Sequence, residues 1–335
     1  MPGNYDEKET SPADTLAGES GESLKIEKLP ERLNRYANFH GRSLSMSEYI
    51  KEIYSGNVFL ENEYSGVASR LESCGELLLF HNYFTVNQVR LSKANFCMNH
   101  LLCPMCGSRR GSKLTTAYWD RFQVIKAADS DIRAFFVTFT VKDGPDLPER
   151  FNHLSSSKKK YHEMRREVLR GKRKPLEINK ALGGVGSYET KIGSGSGLWH
   201  VHDHNIWLCK EMPDKRVISG EWKDITGDSF IVDVRPIEDV TGFIEVMAYA
   251  VKFSTMTVED NFEAYRFLRK KRLINSFGIF RGVEIPESLE DEPLEALPYI
   301  ELLYAYIHGS GYKQQRDLRV TREKINAQIN EGVPF

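Results

Sequence analysis

The most informative part of the chain is the stretch Trp199-His200-Val201-His202-Asp203-His204. Its three histidines stand at every second position, which is the side-chain period of a β-strand. The alternation predicts a strand that presents all three imidazoles on one face, where they could bind one metal ion. The 335-residue chain has nine histidines. Three of them at strand spacing favour a metal site over solvent-facing histidines on an edge strand.

A hairpin is predicted around the histidine strand. Residues 185–191 and 200–208 flank the flexible segment Gly193-Ser194-Gly195-Ser196-Gly197. If the turn centres near Gly195, Glu189 lies across from position 201 or 202 and is a candidate third metal ligand. His200 could be a ligand, a phosphate contact or merely an adjacent residue.

A second motif lies on the predicted amphipathic helix 239–253. Glu245, Tyr249 and Lys252 fall on one face of it, away from the apolar stripe. A phenol with a pKa of about 10 is only about 0.1% phenolate at neutral pH. Lys252 could favour the phenolate or bind phosphate, and a metal held by the histidines would polarise a scissile phosphate. Tyr249 is then a candidate nucleophile that forms a 5′-phosphotyrosine, and Glu245 a candidate base that ends the cycle. The alternative is a core tyrosine beside a solvated glutamate.

The order of the remaining elements predicts an α+β fold. Residues 134–141 and 230–234 read as strands, and residues 158–180 read as a basic helix and loop. Together with the hairpin and the tyrosine helix, they predict an antiparallel central sheet with helices packed on it.

Charge is unevenly distributed along the chain. The net charge of −1 combines acidic ends with a basic middle: residues 283–301 carry seven acidic side chains and no basic one. A basic middle suits a polyanionic partner. The predicted phosphate contacts are Lys158, Lys159, Lys160, Arg165, Arg166, Lys172, Arg173 and Lys174, with a solvated helix face as the alternative.

Four of the five cysteines suggest a metal-binding module. Cys97, Cys103 and Cys106 form a compact trio, and either Cys74 or His100 could be the fourth ligand. Four protein ligands leave no open position, so the expected ion is a structural zinc. The alternative is a set of plain buried thiols, which is also the simplest interpretation of Cys209.

In their order along the chain, these motifs resemble the replication initiators of rolling-circle plasmids, within the HUH endonuclease superfamily. The similar subgroup has one catalytic tyrosine and a glutamate four residues before it. Residues 136–141 resemble the family's first motif, 187–190 with 199–204 the second, and 245–252 the third. The N-terminal cysteine module is also similar. One departure is Asp203, which stands where the family usually has a bulky apolar residue.

The resemblance implies roles for individual residues. His202 and His204 match the HUH pair, His200 matches the subgroup's extra histidine, and Tyr249 and Glu245 match the nucleophile and the terminating base. The third metal ligand stays open between Glu189, His200 and Glu245. The implied function is metal-dependent nicking and joining of single-stranded or cruciform origin DNA. The expected ions are Mn²⁺ or Mg²⁺ at the catalytic site and Zn²⁺ at the cysteines, and the expected partners are a host helicase and a polymerase.

The predicted organisation has four parts: a disordered acidic tail (1–28), an N-terminal region with a helix and the cysteine module at 74–106 (29–128), an HUH-type nicking domain (129–282) and an acidic C-terminal extension (283–335). No apolar run reaches the ~20 residues of a membrane span, and no secretory signal is present. These features predict a cytoplasmic protein. Two rival functions are a transposase or relaxase of the same superfamily and a non-catalytic, zinc-stabilised DNA-binding regulator.

Overall fold

The computed structural model describes residues 28–56, 58–247, 256–294 and 297–315. The predicted acidic tail thus lies, apart from residue 28, outside the described residues. The chain divides into two compact units, which we name by their candidate ligands. The described part of the histidine unit is residues 111–247 and 270–285, and that of the cysteine unit is residues 28–56, 58–110, 256–269, 286–294 and 297–315.

Helices and strands alternate irregularly along the chain. The described helices are α1 (Leu29–Tyr54), α2 (Val58–Ser73), α3 (Pro104–Ala128), α4 (Leu147–Leu169), α5 (Lys215–Thr226), α6 (Val240–Met247) and α7 (Val258–Leu268). The strands are β1 (Leu77–Tyr83), β2 (Gln88–Ala94), β3 (Arg133–Thr140), β4 (Ala181–Ile192), β5 (Trp199–Cys209), β6 (Val232–Pro236), β7 (Ile274–Gly278), β8 (Ile300–Ile307) and β9 (Gly311–Gln314). Within the described ranges, no helix combines the length and the apolar character needed to cross a bilayer.

The histidine unit is built on a five-stranded sheet with the order β6-β3-β5-β4-β7. Every neighbouring pair is antiparallel. The predicted α+β class, with an antiparallel sheet and packed helices, is therefore confirmed. The histidine stretch forms the central strand β5, where β-branched and aromatic neighbours support an extended backbone.

The hairpin between β4 and β5 fixes the register of the site. Gly197 has a φ of +65°, a left-handed conformation that glycine adopts without steric cost. Its amide donates to the carbonyl of Gly193 at 2.8 Å and closes the turn. Counting back from this turn, the pairing places Glu189 opposite His202 and Ser187 opposite His204.

The two faces of this sheet carry different helices. On the face that bears the histidines, buried Phe136 and Ile206 belong to one apolar core with Leu114 of α3 and Phe243 and Met247 of α6. On the opposite face, Phe139 contacts the rings of Tyr161 on α4 and Trp222 on α5. The apolar stripe of α6 therefore packs on the histidine face.

The cysteine unit has its own sheet and core. Its four strands have the order β2-β1-β8-β9 and pair antiparallel. Buried side chains from α1, α2, β1 and α7 form the core, among them Tyr36, Leu71, Phe80 and Phe262. Residues 300–314 of the predicted acidic extension supply two of the strands, and β8 pairs directly with β1.

Asp203, the departure from the family pattern, is fully buried in the sheet face opposite the histidines. Its carboxylate forms an ion pair with the ammonium of Lys158 on α4. Lys158 also donates to Oδ1 of Asn205 at 2.8 Å. Burial lowers the pKa of Lys158, although Asp203 favours its charged form. The phosphate contact of Lys158 stays a prediction, and the structure shows this side chain buried and paired with Asp203.

We expect Lys158→Met to lower the free energy of unfolding by about 3 kcal/mol, because it leaves the Asp203 carboxylate buried without its cation. Urea denaturation followed by circular dichroism would measure the loss. Lys159→Met, at the exposed neighbouring position, should change stability by less than about 0.5 kcal/mol. Adding Asp203→Asn to Lys158→Met should restore part of the lost stability. Equal effects of Lys158→Met and Lys159→Met would contradict the proposed role of Lys158 in balancing the buried charge of Asp203.

Candidate functional site

Glu189, His202 and His204 come together on the face of the central sheet that α6 covers. Nε2 of His204 lies 2.9 Å from Oε2 of Glu189, and Nε2 of His202 lies 3.2 Å from the same oxygen. The ligand atoms of the three residues all lie within 4.8 Å of one another. Two imidazole nitrogens and one carboxylate oxygen form a donor set that suits a divalent ion and leaves coordination positions open for substrate.

Neighbouring side chains orient two of the histidines. Thr138 Oγ1 lies 3.0 Å from Nδ1 of His204. The other ring nitrogen of His204, Nε2, therefore faces Glu189. Asp143 Oδ1 lies 2.7 Å from Nδ1 of His200. Such contacts to the second ring nitrogen are typical of metal-binding histidines. His200 lies beside the group of three, with its ring centroid 5.0 Å from that of His202.

The protonation states of Glu189 and His202 match what metal binding requires. Burial raises the pKa of Glu189, but hydrogen bonds from His202 and His204 outweigh burial and hold that pKa well below its ordinary value. Burial lowers the pKa of His202 to about 4. An anionic carboxylate and a neutral imidazole can both ligate a cation at neutral pH. Nδ1 of His202, the ring nitrogen that does not face Glu189, is buried and has no hydrogen-bond partner among the described residues, unlike Nδ1 of His200 and of His204.

Glu245 lies at the edge of this site and not among the three clustered ligand groups. It is half-exposed and forms an ion pair with Arg235. The guanidinium of Arg235 lies over the ring of Phe136, 4.2 Å from its centroid, and that ring is 5.2 Å from the ring of His204. Glu245 is therefore linked to His204 through two intervening side chains. The predicted nucleophile Tyr249 and the predicted cation Lys252 lie outside the described residues.

The predicted DNA-binding residues are spread over α4 and the turn that follows it. The helix packs on the sheet face opposite the histidines, through contacts such as that of Phe151 with Tyr188. Of the predicted set, Lys158 is buried and Arg165 is half-buried, whereas Lys159, Lys160, Arg166, Lys172, Arg173 and Lys174 are exposed.

The four predicted zinc ligands form a second cluster, within the cysteine unit. Cys74 Sγ lies 3.4 Å from that of Cys103 and 3.6 Å from that of Cys106, and Cys97 Sγ lies 3.6 Å from Cys106. Thiolates held ~2.3 Å from a tetrahedral ion stand roughly 3.8 Å apart. A disulfide would need about 2.05 Å, and all four cysteines are free. The cluster contains Cys74 and not His100, so the structure favours Cys74 as the fourth ligand.

The secondary structure around the four cysteines places their sulfurs together and supplies backbone amides that donate to two of them. Cys74 follows the end of α2, and Cys103 and Cys106 stand at the start of α3. Backbone amides donate to two of the sulfurs, from Cys97 to Cys74 at 3.3 Å and from Cys106 to Cys103 at 3.5 Å. Burial raises the pKa of Cys106, so this sulfur needs a nearby cation to be a thiolate, the form that ligates a metal ion. Both clusters could therefore hold a metal ion.

Sequence reasoning missed Thr138, Asp143 and Arg235. Thr138 and Arg235 had no separate signal, because their roles depend on the pairing of β5 and β6 with β3. Asp143 had a weak sequence signal, because it is the one acidic residue between the predicted strand 134–141 and Asp146, where the next helix begins. Its contact with His200 depends on the bridge between Gly144 and Trp199, which periodicity does not reveal.

Fold and site together define an α+β protein with a cross-strand histidine–glutamate cluster and a separate buried cysteine cluster. The chain is similar to a protein named "Protein rep" from Streptococcus pneumoniae serotype 2 (strain D39 / NCTC 7466), with 26% identity over 273 residues. The aligned region covers 73% of this chain and 78% of that protein. No family model matches the chain, and no solved structure matches it.

Proposed function

We propose that this protein initiates rolling-circle replication of a plasmid by nicking one strand of origin DNA and later rejoining it. The observation that carries the proposal is the cluster of Glu189, His202 and His204, because this donor set suits a divalent ion that acts on phosphodiesters. The similarity to "Protein rep" supports replication over transposition or conjugative transfer, which use the same chemistry. A DNA-binding regulator would not need the histidine cluster.

The cluster would hold Mn²⁺ or Mg²⁺, which when bound supplies Lewis-acid stabilisation of charge on the scissile phosphate. The phenolic oxygen of Tyr249 attacks the phosphorus atom, and the bond from phosphorus to the 3′-oxygen breaks. The 5′-phosphate stays on the tyrosine and the 3′-oxygen leaves as a hydroxyl with the phenol's proton. Lys252 favours the phenolate by its charge. Met247, the last described residue of α6, packs in the apolar core of the histidine face, and Tyr249 follows it by two residues.

The freed 3′-hydroxyl can prime a polymerase, so the proposal includes a host polymerase and a helicase as partners. The substrate is single-stranded origin DNA, exposed in a cruciform or by unwinding. The cysteine cluster would hold Zn²⁺ as a structural ion, because four protein ligands leave no position for substrate.

One assay tests the proposed function. The purified protein is incubated with Mn²⁺ or Mg²⁺ and single-stranded oligonucleotides, labelled at one end, that tile the plasmid's origin. The products are separated on a denaturing gel. We expect cleavage of one oligonucleotide at one position and a covalent DNA–protein adduct, both abolished by EDTA. Sequence-specific binding without cleavage or adduct would instead favour the regulator.

For Glu245→Ala we expect nicking to survive while hydrolytic release of the adduct falls by about 100-fold, because a general base typically contributes this much. A time course of adduct formation and decay measures both steps. Glu238→Ala, at a nearby exposed position, serves as the control. Equal loss of nicking and release would contradict the assigned role and would instead place Glu245 among the metal ligands.

A further inference from the structure

A basic cavity lies on the face of the central sheet opposite the histidine cluster. Its volume is about 270 Å³, and its walls come from α4, β4, β5, β7 and the segment after β7. Tyr188 and Asn205 line the cavity from β4 and β5. Side chains alternate along a strand, so these two residues point away from the face of Glu189 and His204. The cavity is thus separated from the proposed nicking site by the sheet itself.

Five cationic side chains line this cavity and no acidic one does: Lys158, Lys159, Arg165, Arg166 and Arg281. Asp203 neutralises Lys158, and Glu163 lies 3.7 Å from Arg166. For Lys159, Arg165 and Arg281, no ion pair with an acidic group is found within the described parts of the chain. The cavity therefore holds positive charge that the surrounding protein does not balance, which suits an anionic ligand.

Two further observations concern the groups that line the cavity. Burial, together with the charges of Lys158, Arg165, Arg166 and Arg281, lowers the pKa of His162 to about 3, so its imidazole stays neutral. Nε of Arg165 is buried and has no hydrogen-bond partner among the described residues. A buried guanidinium donor without an acceptor is costly and is usually satisfied by a ligand or water.

Aromatic rings stand beside the cations. The ring of Phe277 lies 4.9 Å from that of His162, and the guanidinium of Arg165 lies over Phe277 at 5.0 Å from its centroid. Cations beside aromatic rings are the usual combination in sites for nucleotides, where phosphate meets the charge and the base meets a ring. The volume of the cavity is slightly below the usual range of small-molecule sites, which limits its ligand to about the size of one nucleotide.

We propose that this cavity binds the phosphate and base of one nucleotide, either free or as one unit of a single strand. The site goes beyond the nicking activity and does not depend on it, because none of its residues belongs to the histidine cluster or the tyrosine helix. Lys158, fixed by Asp203 and Asn205, forms the floor, whereas Lys159, Arg165 and Arg281 supply the unbalanced charge.

Isothermal titration at low salt tests the proposal, with inorganic phosphate, dTMP and a short oligothymidylate as separate probes. The test variant is Lys159→Glu with Arg281→Glu. Its control is Lys223→Glu with Arg216→Glu, which makes the same charge change at exposed positions on α5. Thermal melting confirms that both variants fold. We expect dTMP or oligothymidylate to bind at least about tenfold more weakly to the test variant, and less than about twofold more weakly to the control.

The probes distinguish the two sources of the phosphate. Weakened dTMP binding identifies a free nucleotide, whereas weakened oligothymidylate binding without measurable dTMP binding identifies a DNA strand. Phe277→Leu should weaken binding of the affected nucleotide probe by about fivefold or more, because it removes the stacking ring. Binding of inorganic phosphate should stay unchanged. Equal losses in the test and control variants, or no binding of any probe to the unmodified protein, would overturn the proposal. Because Tyr249 and the metal ligands stay intact, nicking by the test variant at saturating origin DNA reports separately on the proposed function.

Discussion

Tyr249→Phe is expected to abolish the covalent DNA–protein adduct and to slow strand cleavage by at least about 10³-fold. The substitution removes only the phenolic oxygen, so the loss isolates its role as the nucleophile. The metal ligands and the DNA-binding surfaces are unchanged, and binding of the origin strand should therefore keep its affinity. A denaturing gel measures the adduct, and a filter or polarisation assay measures binding on the same preparations.

The matched control for this variant is Tyr299→Phe, because Tyr299 is 46% exposed and lies in the cysteine unit. It should form the adduct at the unmodified rate. Peptide mapping of the adduct from the unmodified protein should find the nucleotide phosphate on Tyr249. An adduct of normal yield in Tyr249→Phe, or attachment at another residue, would contradict the proposed mechanism.

If the four cysteines hold the proposed zinc ion, its removal should destabilise the cysteine unit by several kcal/mol. Apparent binding free energies of structural zinc sites reach about 10–16 kcal/mol, and the four clustered sulfurs are buried in the core of this unit. Cys106→Ser should therefore lower the zinc content to near zero and the melting temperature by about 10 °C. Elemental analysis measures the zinc, and scanning calorimetry measures the melting.

Cys209→Ser tests whether this effect belongs to the cluster and not to any buried thiol. Cys209 is buried in the histidine unit, where burial raises the pKa of its thiol to about 12 and keeps it unreactive. This variant should retain one zinc per chain. Purified protein without zinc, together with melting that chelators do not change, would contradict the structural ion.

Much of the site could be predicted because its geometry is local in sequence. The alternation of His200, His202 and His204 requires only a strand, and a short glycine-rich turn determines which residue faces His202. The same reasoning identified β3 and α6 from aromatic runs and an apolar stripe. Short-range periodicity and turn chemistry thus carried the prediction of the histidine unit's sheet.

Features that depend on long-range pairing were not predicted. Leu79 of β1 faces Leu303 of β8 across the sheet, a pairing that an acidic stretch before β8 obscured. Lys158 read as one member of a basic run, but the position of α4 over β5 places it against Asp203. Arg281 carried no signal, since it joins the basic cavity only through the pairing of β7 with β4. The periodicity of apolar residues shows which side of a helix or strand is buried. Ion pairs between different helices and strands can be identified only once the fold is known.

Direct measurement of Mn²⁺ binding tests whether Glu189, His202 and His204 hold one divalent ion. Electron paramagnetic resonance of free Mn²⁺ gives the affinity for the unmodified protein, for Glu189→Gln and for the control Glu211→Gln, an exposed glutamate in the same unit. We predict one Mn²⁺ per chain, with affinity at least about tenfold weaker in Glu189→Gln and unchanged in the control. Equal affinity of all three proteins would contradict the metal site and the mechanism built on it.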